Sequence, residues 1–315
     1  MNRRTALALI GQSAFMATAA SRIWAQPAGW PRRITGADGR AVELTALPQR
    51  ILSSSVTLTG TALAIGAPVI ASAATVNGQF FTQWAEQARD VERLWPAGRV
   101  DLESVLMLAP DLILVSASGA DSALAHVAQF SAIAPTLILD YALQPWQALA
   151  MQIGQVTGRE DQAAALLADY DRWIEDQRAR MVLPPGQANI VSYNGPGMPN
   201  PVALATGVHG RLLASLGFQI EGPPPDWPGG DAAAGDFVRV AYEYLPDLTA
   251  ETTFLLNAGQ DRAEAFMVDP LLANLPSVRA GQVYALGETS FRIDYYSARQ
   301  IVELLAARFA SGRVG

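Results

Sequence analysis

Residues 103–119, ESVLMLAPDLILVSASG, align without a gap on residues 243–259, EYLPDLTAETTFLLNAG, at a constant offset of about 140. Glu103 falls on Glu243, Val105 on Leu245, Asp111 on Glu251, Leu114 on Phe254 and Gly119 on Gly259. Each segment reads as a helix, an acid, a buried strand and a glycine turn. Repetition of one such unit restricts the chain to two similar α/β lobes. Coincidence is the alternative, because helix–strand units share their apolar pattern in any α/β chain.

The rest of the chain fits that frame. RILSSSVTL reads as a strand running into a Ser/Thr-rich turn, TGTALAIGA as a helix and PVIASAAT as a strand. FTQWAEQARDVERL is predicted to be an amphipathic helix. A helix starting near Asp101 and ended by Pro110 follows, then the strand DLILVSAS. ALAHVAQFSAIA and TLILDY continue the alternation, which implies βαβ units and a mostly parallel sheet. From Arg159 to Met181, apolar residues recur at helical spacing with no proline or glycine, predicting one helix of over about 20 residues. Pro184, Pro185 and Gly186 stop it. QANIVSYN, HGRLLASLGFQI and QVYALG then start a second α/β pattern. The expected division is an export signal at 1–25, an N-terminal lobe at 26–145, a linking helical segment at 146–183 and a C-terminal lobe at 184–315.

The N-terminus carries Arg3 and Arg4, a weakly apolar stretch, small residues and Ala25, the layout of a twin-arginine export signal. Cleavage after Ala25 or after Ala20 fits this layout. The protein is therefore expected in the periplasm. The chain has no cysteine, so thiolate metal sites and disulfide frameworks are excluded. Its two histidines, His126 and His209, belong to no metal-binding motif and read as packing or surface residues. With no lysine in the sequence, neither a Walker lysine nor a Schiff-base lysine is available. The formal net charge is −7, and loss of Arg3, Arg4 and Arg22 with the signal would make it more negative. Nucleic acid is a poor partner for so acidic a chain, and an anionic ligand would need a local arginine cluster.

Catalytic motifs are absent: there is no G-x-S-x-G elbow and no Walker A sequence. A binding protein is the expectation. The cleft between the lobes is the place for a ligand. The turns SSSVTLTG, VERLWPAG and VSYNGPG are expected to face it. Arg93 lies beside Trp95, and Arg292 lies among Phe291, Tyr295 and Tyr296. Arginine next to an aromatic ring can hold a flat anion by charge and stacking together. A surface salt bridge is the alternative for each arginine. Trp227, alone in the loop EGPPPDWPGGDAAAGD, is either a lid over the ligand or an anchor for the loop.

PQRILSSSVTLTGTALAIGAPVIASAAT, PDLILVSASGADSAL, SAIAPTLILDY and ETSFRIDYYSARQ resemble the periplasmic binding proteins of iron–siderophore ABC transporters, collinearly from about Pro48 to Phe309. The resemblance implies a class III fold, two Rossmann-like lobes joined by a single long helix. It implies a monomer that captures a ferric catecholate siderophore of the enterobactin type and delivers it to an inner-membrane ABC permease dimer. Other ligands of such receptors are hydroxamate siderophores, haem and cobalamin; a siderophore hydrolase using His126 or His209 is the reading from another class. Iron would be held by the siderophore alone, with no intrinsic cofactor. Arg93 and Arg292 match as ligand contacts, with Arg239 a further candidate from position. Trp95, Tyr193, Trp227 and Tyr295 would supply aromatic walls. This sequence has Val202, Ala203 and Leu204 where the family pattern carries a second-lobe tryptophan; Tyr193 or Trp227 would compensate. Glu103 and Glu243 match the acids that dock such receptors onto permease arginines. As helix-start acids, each also has a simpler explanation in the helix dipole.

Overall fold

The computed structural model describes residues 29–142, 144–228 and 235–311. The expected export signal at 1–25 lies outside the described residues. A short antiparallel hairpin, β1 (Arg32–Thr35) and β2 (Ala41–Leu44), precedes the first lobe.

The first sheet is parallel throughout. It contains β3 (Ile51–Ser53), β4 (Val69–Ala74), β5 (Glu92–Pro96), β6 (Leu112–Ser116) and β7 (Thr136–Leu139), in the order β5-β4-β3-β6-β7. Every residue of β3, β6 and β7 is buried, as a parallel sheet covered on both faces requires. The helices of this lobe are α1 (Val56–Ala64), α2 (Leu102–Leu108) and α3 (Val127–Ser131). Asp101 caps α2 by accepting from the Glu103 and Ser104 amides.

Two helices follow, α4 (Trp146–Thr157) and α5 (Glu160–Arg178). The long helix expected from Arg159 to Met181 is α5, and α4 precedes it in the segment between the lobes. Gly158 adopts φ +65° and caps α4 in the left-handed region, which breaks the chain before α5 begins.

The second sheet has the order β11-β9-β8-β12-β13, with β10 also beside β8. Its members are β8 (Gln187–Val191), β9 (Asn200–Ala203), β10 (Gln219–Ile220), β11 (Phe237–Val240), β12 (Thr252–Leu255) and β13 (Val283–Ala285). β9 and β11 run antiparallel, a departure from the expected parallel pattern at one edge. Its helices are α6 (Val208–Ser215), α7 (Gln260–Val268), α8 (Pro276–Arg279) and the C-terminal α9 (Tyr295–Arg308). One apolar core joins both halves. It runs from Leu58 of α1 through Trp146, Tyr170 and Ile301 of the helical layer to Ile190 and Phe254 of the second sheet.

The repeat is visible in three dimensions. β6 and β12 begin at residues 112 and 252, each against the first strand of its own sheet. Asp111 accepts from the Gln49 and Arg50 amides at 2.7 and 2.9 Å, and Glu251 accepts from the Gln187 amide at 2.7 Å. Both acids pin the start of the neighbouring strand. The stretch before each differs in one respect: Pro246 sits inside the second, which forms a 3-10 helix (Tyr242–Asp247) where the first forms α2.

The helix predicted for FTQWAEQARDVERL does not form. Residues 82–90 are successive turns, with i to i+3 bonds such as Gln87 N to Trp84 O at 3.0 Å, and residues 92–96 are β5. Trp84 is fully buried against α1 and the start of α9. Seating that ring outweighs the helical periodicity of its neighbours. The expected turn VERLWPAG is corrected with it, since Arg93 and Trp95 lie in an edge strand.

Candidate functional site

A cleft of about 860 Å³ opens between the two sheets. From the first lobe it is lined by the segment after β4, including Gln79, Phe80, Phe81 and Gln83. From the C-terminal half it is lined by Asn257, Asp261 and Arg262 at the start of α7, and by Glu288, Phe291 and Arg292 between β13 and α9. Two guanidiniums and three phenyl rings thus face one space, with two carboxylates.

Arg292 is held by the first lobe. Its Nη1 donates to the Tyr141 hydroxyl at 2.9 Å and to Thr57 Oγ1 at 3.2 Å, and its Cζ lies 5.6 Å from the Tyr141 ring centroid. Tyr141 in turn donates to Asp121 Oδ1 at 2.8 Å. Asp121, 5 % exposed, also accepts from Ser55 Oγ at 2.6 Å and from the Thr57 amide at 3.1 Å. The protein's own carboxylate therefore occupies the N-terminus of α1, where backbone amides favour an anion. Burial pushes the Asp121 pKa up, but the three donors and the Arg292 charge overcome it and leave it below the usual carboxylate value. Burial and the Asp121 charge raise the Tyr141 pKa, so its hydroxyl stays protonated as a donor.

Gly119 makes this arrangement possible. Its φ is +89°, and a Cβ there would overlap the Tyr141 hydroxyl oxygen. The glycine of the sequence repeat is thus also a packing requirement of the site.

Other expected contacts fall elsewhere. Arg93 donates to Gln79 Oε1 at 2.9 Å, so it stands behind a cleft-lining residue. The Trp95 ring is buried in the first-lobe core, 6.5 Å from Phe130 and stacked on it. Tyr193 turns its hydroxyl to Asp269 at 2.6 Å and its ring to Phe266, while its carbonyl accepts from Arg262 Nη1 at 2.8 Å. Trp227 is buried beside Tyr244 in the second-lobe core, which is the anchor role rather than the lid. Tyr295 packs between Trp146 and Tyr170 in the helical layer. Arg239 is exposed on β11 and lines a separate hollow of about 360 Å³ together with Met198 and Glu243. Glu103 and Glu243 are both exposed, at the starts of repeat-related helical segments.

Phe80, Phe81, Tyr141 and Arg262 were not singled out from the sequence. Phe81 opens the segment expected to be a helix, and Phe80 stands just before it with no local pattern to mark it. Arg262 has no aromatic neighbour in sequence to mark it.

His209 is buried, with Nε2 2.8 Å from the Ser290 carbonyl and its ring 5.2 Å from Phe237. Burial lowers its pKa to about 4, against the opposing pull of the Ser290 carbonyl, so it is a neutral packing residue. Among the described residues no group of three or more His, Asp or Glu side chains is placed to hold a metal ion, and no helix is long and apolar enough to cross a membrane.

The chain is 40% identical over 296 residues to the ferric enterobactin-binding periplasmic protein FepB of Escherichia coli O6:H1 strain CFT073, across 90% of this chain and 92% of that one. In three dimensions it is similar to holo-ViuP, with a TM-score of 0.85, 51% identity and coverage of 90% of this chain and 96% of that one. The FhuD protein from S. pseudintermedius shares the fold at a TM-score of 0.70 and 18% identity, over 88% of this chain and 96% of that one. Residues 51–289, which include both sheets and most of the cleft lining, match the model of one family, so the chain belongs to the periplasmic binding proteins.

Proposed function

We propose that this chain captures a ferric catecholate siderophore of the enterobactin type in the periplasm and delivers it to an ABC permease dimer in the inner membrane. The observation that carries this reading is the pairing of Arg262 and Arg292 with Phe80, Phe81 and Phe291 around one cleft, in a chain 40% identical to a protein named for ferric enterobactin. A ferric catecholate complex is a compact polyanion walled by aromatic rings. Guanidiniums meet its charge and phenyl rings its faces. Asp261 and Glu288 line the same half of the cleft as the two arginines and oppose part of their attraction for an anion.

The protein's part is binding rather than catalysis. Iron arrives already enclosed by the siderophore, so no protein ligand and no intrinsic cofactor is needed. Residues 1–25 serve as the export signal and the mature protein acts as a monomer. The lobes at 26–145 and 184–315 move about the segment 146–183, whose helices share an apolar core with both sheets. That shared core keeps the lobe movement small. Glu103 and Glu243, placed alike in the two lobes, dock onto the two permease subunits.

Intrinsic tryptophan fluorescence tests the ligand class. Titration with ferric enterobactin, a ferric hydroxamate, haem and cobalamin should give saturable quenching at micromolar concentration or below for the catecholate complex. Quenching only by one of the other three refutes the catecholate reading.

A further inference from the structure

Asp294 is among the most deeply buried carboxylates of the described chain and lies two residues after Arg292. Its role in α9 is evident. Oδ1 accepts from the Ser297 amide at 2.8 Å, and the Asp294 amide donates to Ser297 Oγ at 2.9 Å, a reciprocal capping box. A cap of this kind works at the surface and does not require burial. Burial raises the Asp294 pKa and its donors only partly offset this, so the position costs stability.

Two further contacts connect this carboxylate to opposite sides of the cleft. Oδ2 accepts from Gln83 Nε2 at 3.3 Å, which reaches the first-lobe segment bearing Phe80 and Phe81. Ser297 Oγ donates to the Arg292 carbonyl at 2.7 Å, fixing the backbone that carries the guanidinium. The Phe80–Phe81 segment has little other support. It precedes a series of turns at 82–90 in which Trp84 is the largest buried side chain, and the Trp84 indole N–H has no hydrogen-bond partner. That ring lies so close to α1 that a Cβ on Gly60 would sit 2.7 Å from Trp84 Nε1 and 3.1 Å from Asp294 Oδ2.

We propose that Asp294 is a positioning residue for the ligand cleft, setting the Phe80–Phe81 wall through Gln83 and the Arg292 backbone through Ser297. Gly60 is the second part of the device, because a side chain there would crowd both Trp84 and Asp294 against α1. This inference rests on the cleft being the ligand site. It concerns how the two walls keep their register before the ligand arrives.

Charge and hydrogen-bond polarity separate this role from a helix cap. Gln83→Glu sets a second carboxylate against Asp294 at pH 7.5. Asp294→Asn keeps an acceptor for the Ser297 amide, and in the Gln83→Glu background it supplies a donor to the new carboxylate. Amide hydrogen exchange over residues 79–84 reads the wall with no ligand present. Fluorescence titration with ferric enterobactin reads the site. Gln83→Glu should speed exchange in that segment and weaken binding about tenfold, the worth of one buried hydrogen bond. The double variant should return both to near wild type. Gly60→Ala should speed the same exchange while α1 stays helical. Exchange unchanged in Gln83→Glu and Gly60→Ala, or no recovery in the double variant, overturns the proposal. A wild-type protein that does not bind ferric enterobactin defeats the functional reading instead, and the exchange measurements still decide the role of Asp294.

Discussion

The Arg292 guanidinium and the Tyr141 hydroxyl meet at 2.9 Å, joining the segment before the C-terminal helix to the end of a first-lobe strand. Behind Tyr141 stands Asp121, so the cation is oriented by a buried anion through a neutral hydroxyl. Replacing Arg292 by Ala is expected to weaken ferric enterobactin binding by roughly 1–3 kcal/mol, the range for a charge-assisted contact. Tyr141→Phe removes only the orienting hydroxyl and should cost about 1 kcal/mol. Calorimetric titration checks both, and equal losses from the two would mean that Arg292 acts through Tyr141 rather than on the ligand.

Arg262 faces the same cleft from α7 and is anchored to the Tyr193 carbonyl. The Arg262→Ala variant should bind about 10- to 150-fold more weakly, the range of a hydrogen bond involving a charged group. The loss should shrink as salt rises, because an exposed charge is screened. Arg93→Ala should cost less, since its guanidinium reaches the cleft only through Gln79. The reverse ranking would put the ligand on the β5 side of the cleft.

His209 gives the fold a pH dependence. Its folded pKa of about 4 lies below the ordinary value of 6.5, because burial excludes the charged form. In that interval the unfolded chain binds a proton that the folded one does not. Its contribution is therefore present above about pH 6.5 and is lost as pH falls toward 4, on the order of 3 kcal/mol in all. Urea denaturation at pH 7.5 and pH 4.5 should show a smaller pH difference for His209→Gln than for wild type. An unchanged difference would place the pH dependence in other groups.

The docking role proposed for Glu103 and Glu243 bears on transport and not on capture. A Glu103→Arg, Glu243→Arg double variant should bind ferric enterobactin as the wild type does, yet fail to support uptake in cells or stimulate permease ATPase activity in vesicles. Normal uptake would refute the docking role.

The sequence made the repeat readable because its physics is local. An acid before a buried strand must find amide donors, and Asp111 and Glu251 find them at the same place in the two sheets. Arg292 was legible for the same reason, with aromatic residues beside it in the chain. The cleft walls were not. Phe80 and Phe81 stand at the head of a stretch with helical periodicity that the burial of Trp84 turns into irregular chain, and no local pattern reports that long-range contact. Trp95, Tyr295 and Trp227 looked like ligand walls because aromatics near arginine or in a loop suit that role. Large rings are equally in demand for cores, and there these three are packed. The antiparallel β9 and β11 also escaped, since short buried strands carry no sign of their direction.

On the proposed function, the cleft selects a polyanionic ferric catecholate by charge and aromatic surface together. Equilibrium titration of the wild-type protein with ferric enterobactin and with an uncharged ferric hydroxamate of similar size tests it most directly. Binding of the catecholate at least about 100-fold tighter is expected, a difference of about 2.7 kcal/mol that two charge-assisted contacts can supply. Equal affinity for the two, or preference for the hydroxamate, would contradict it.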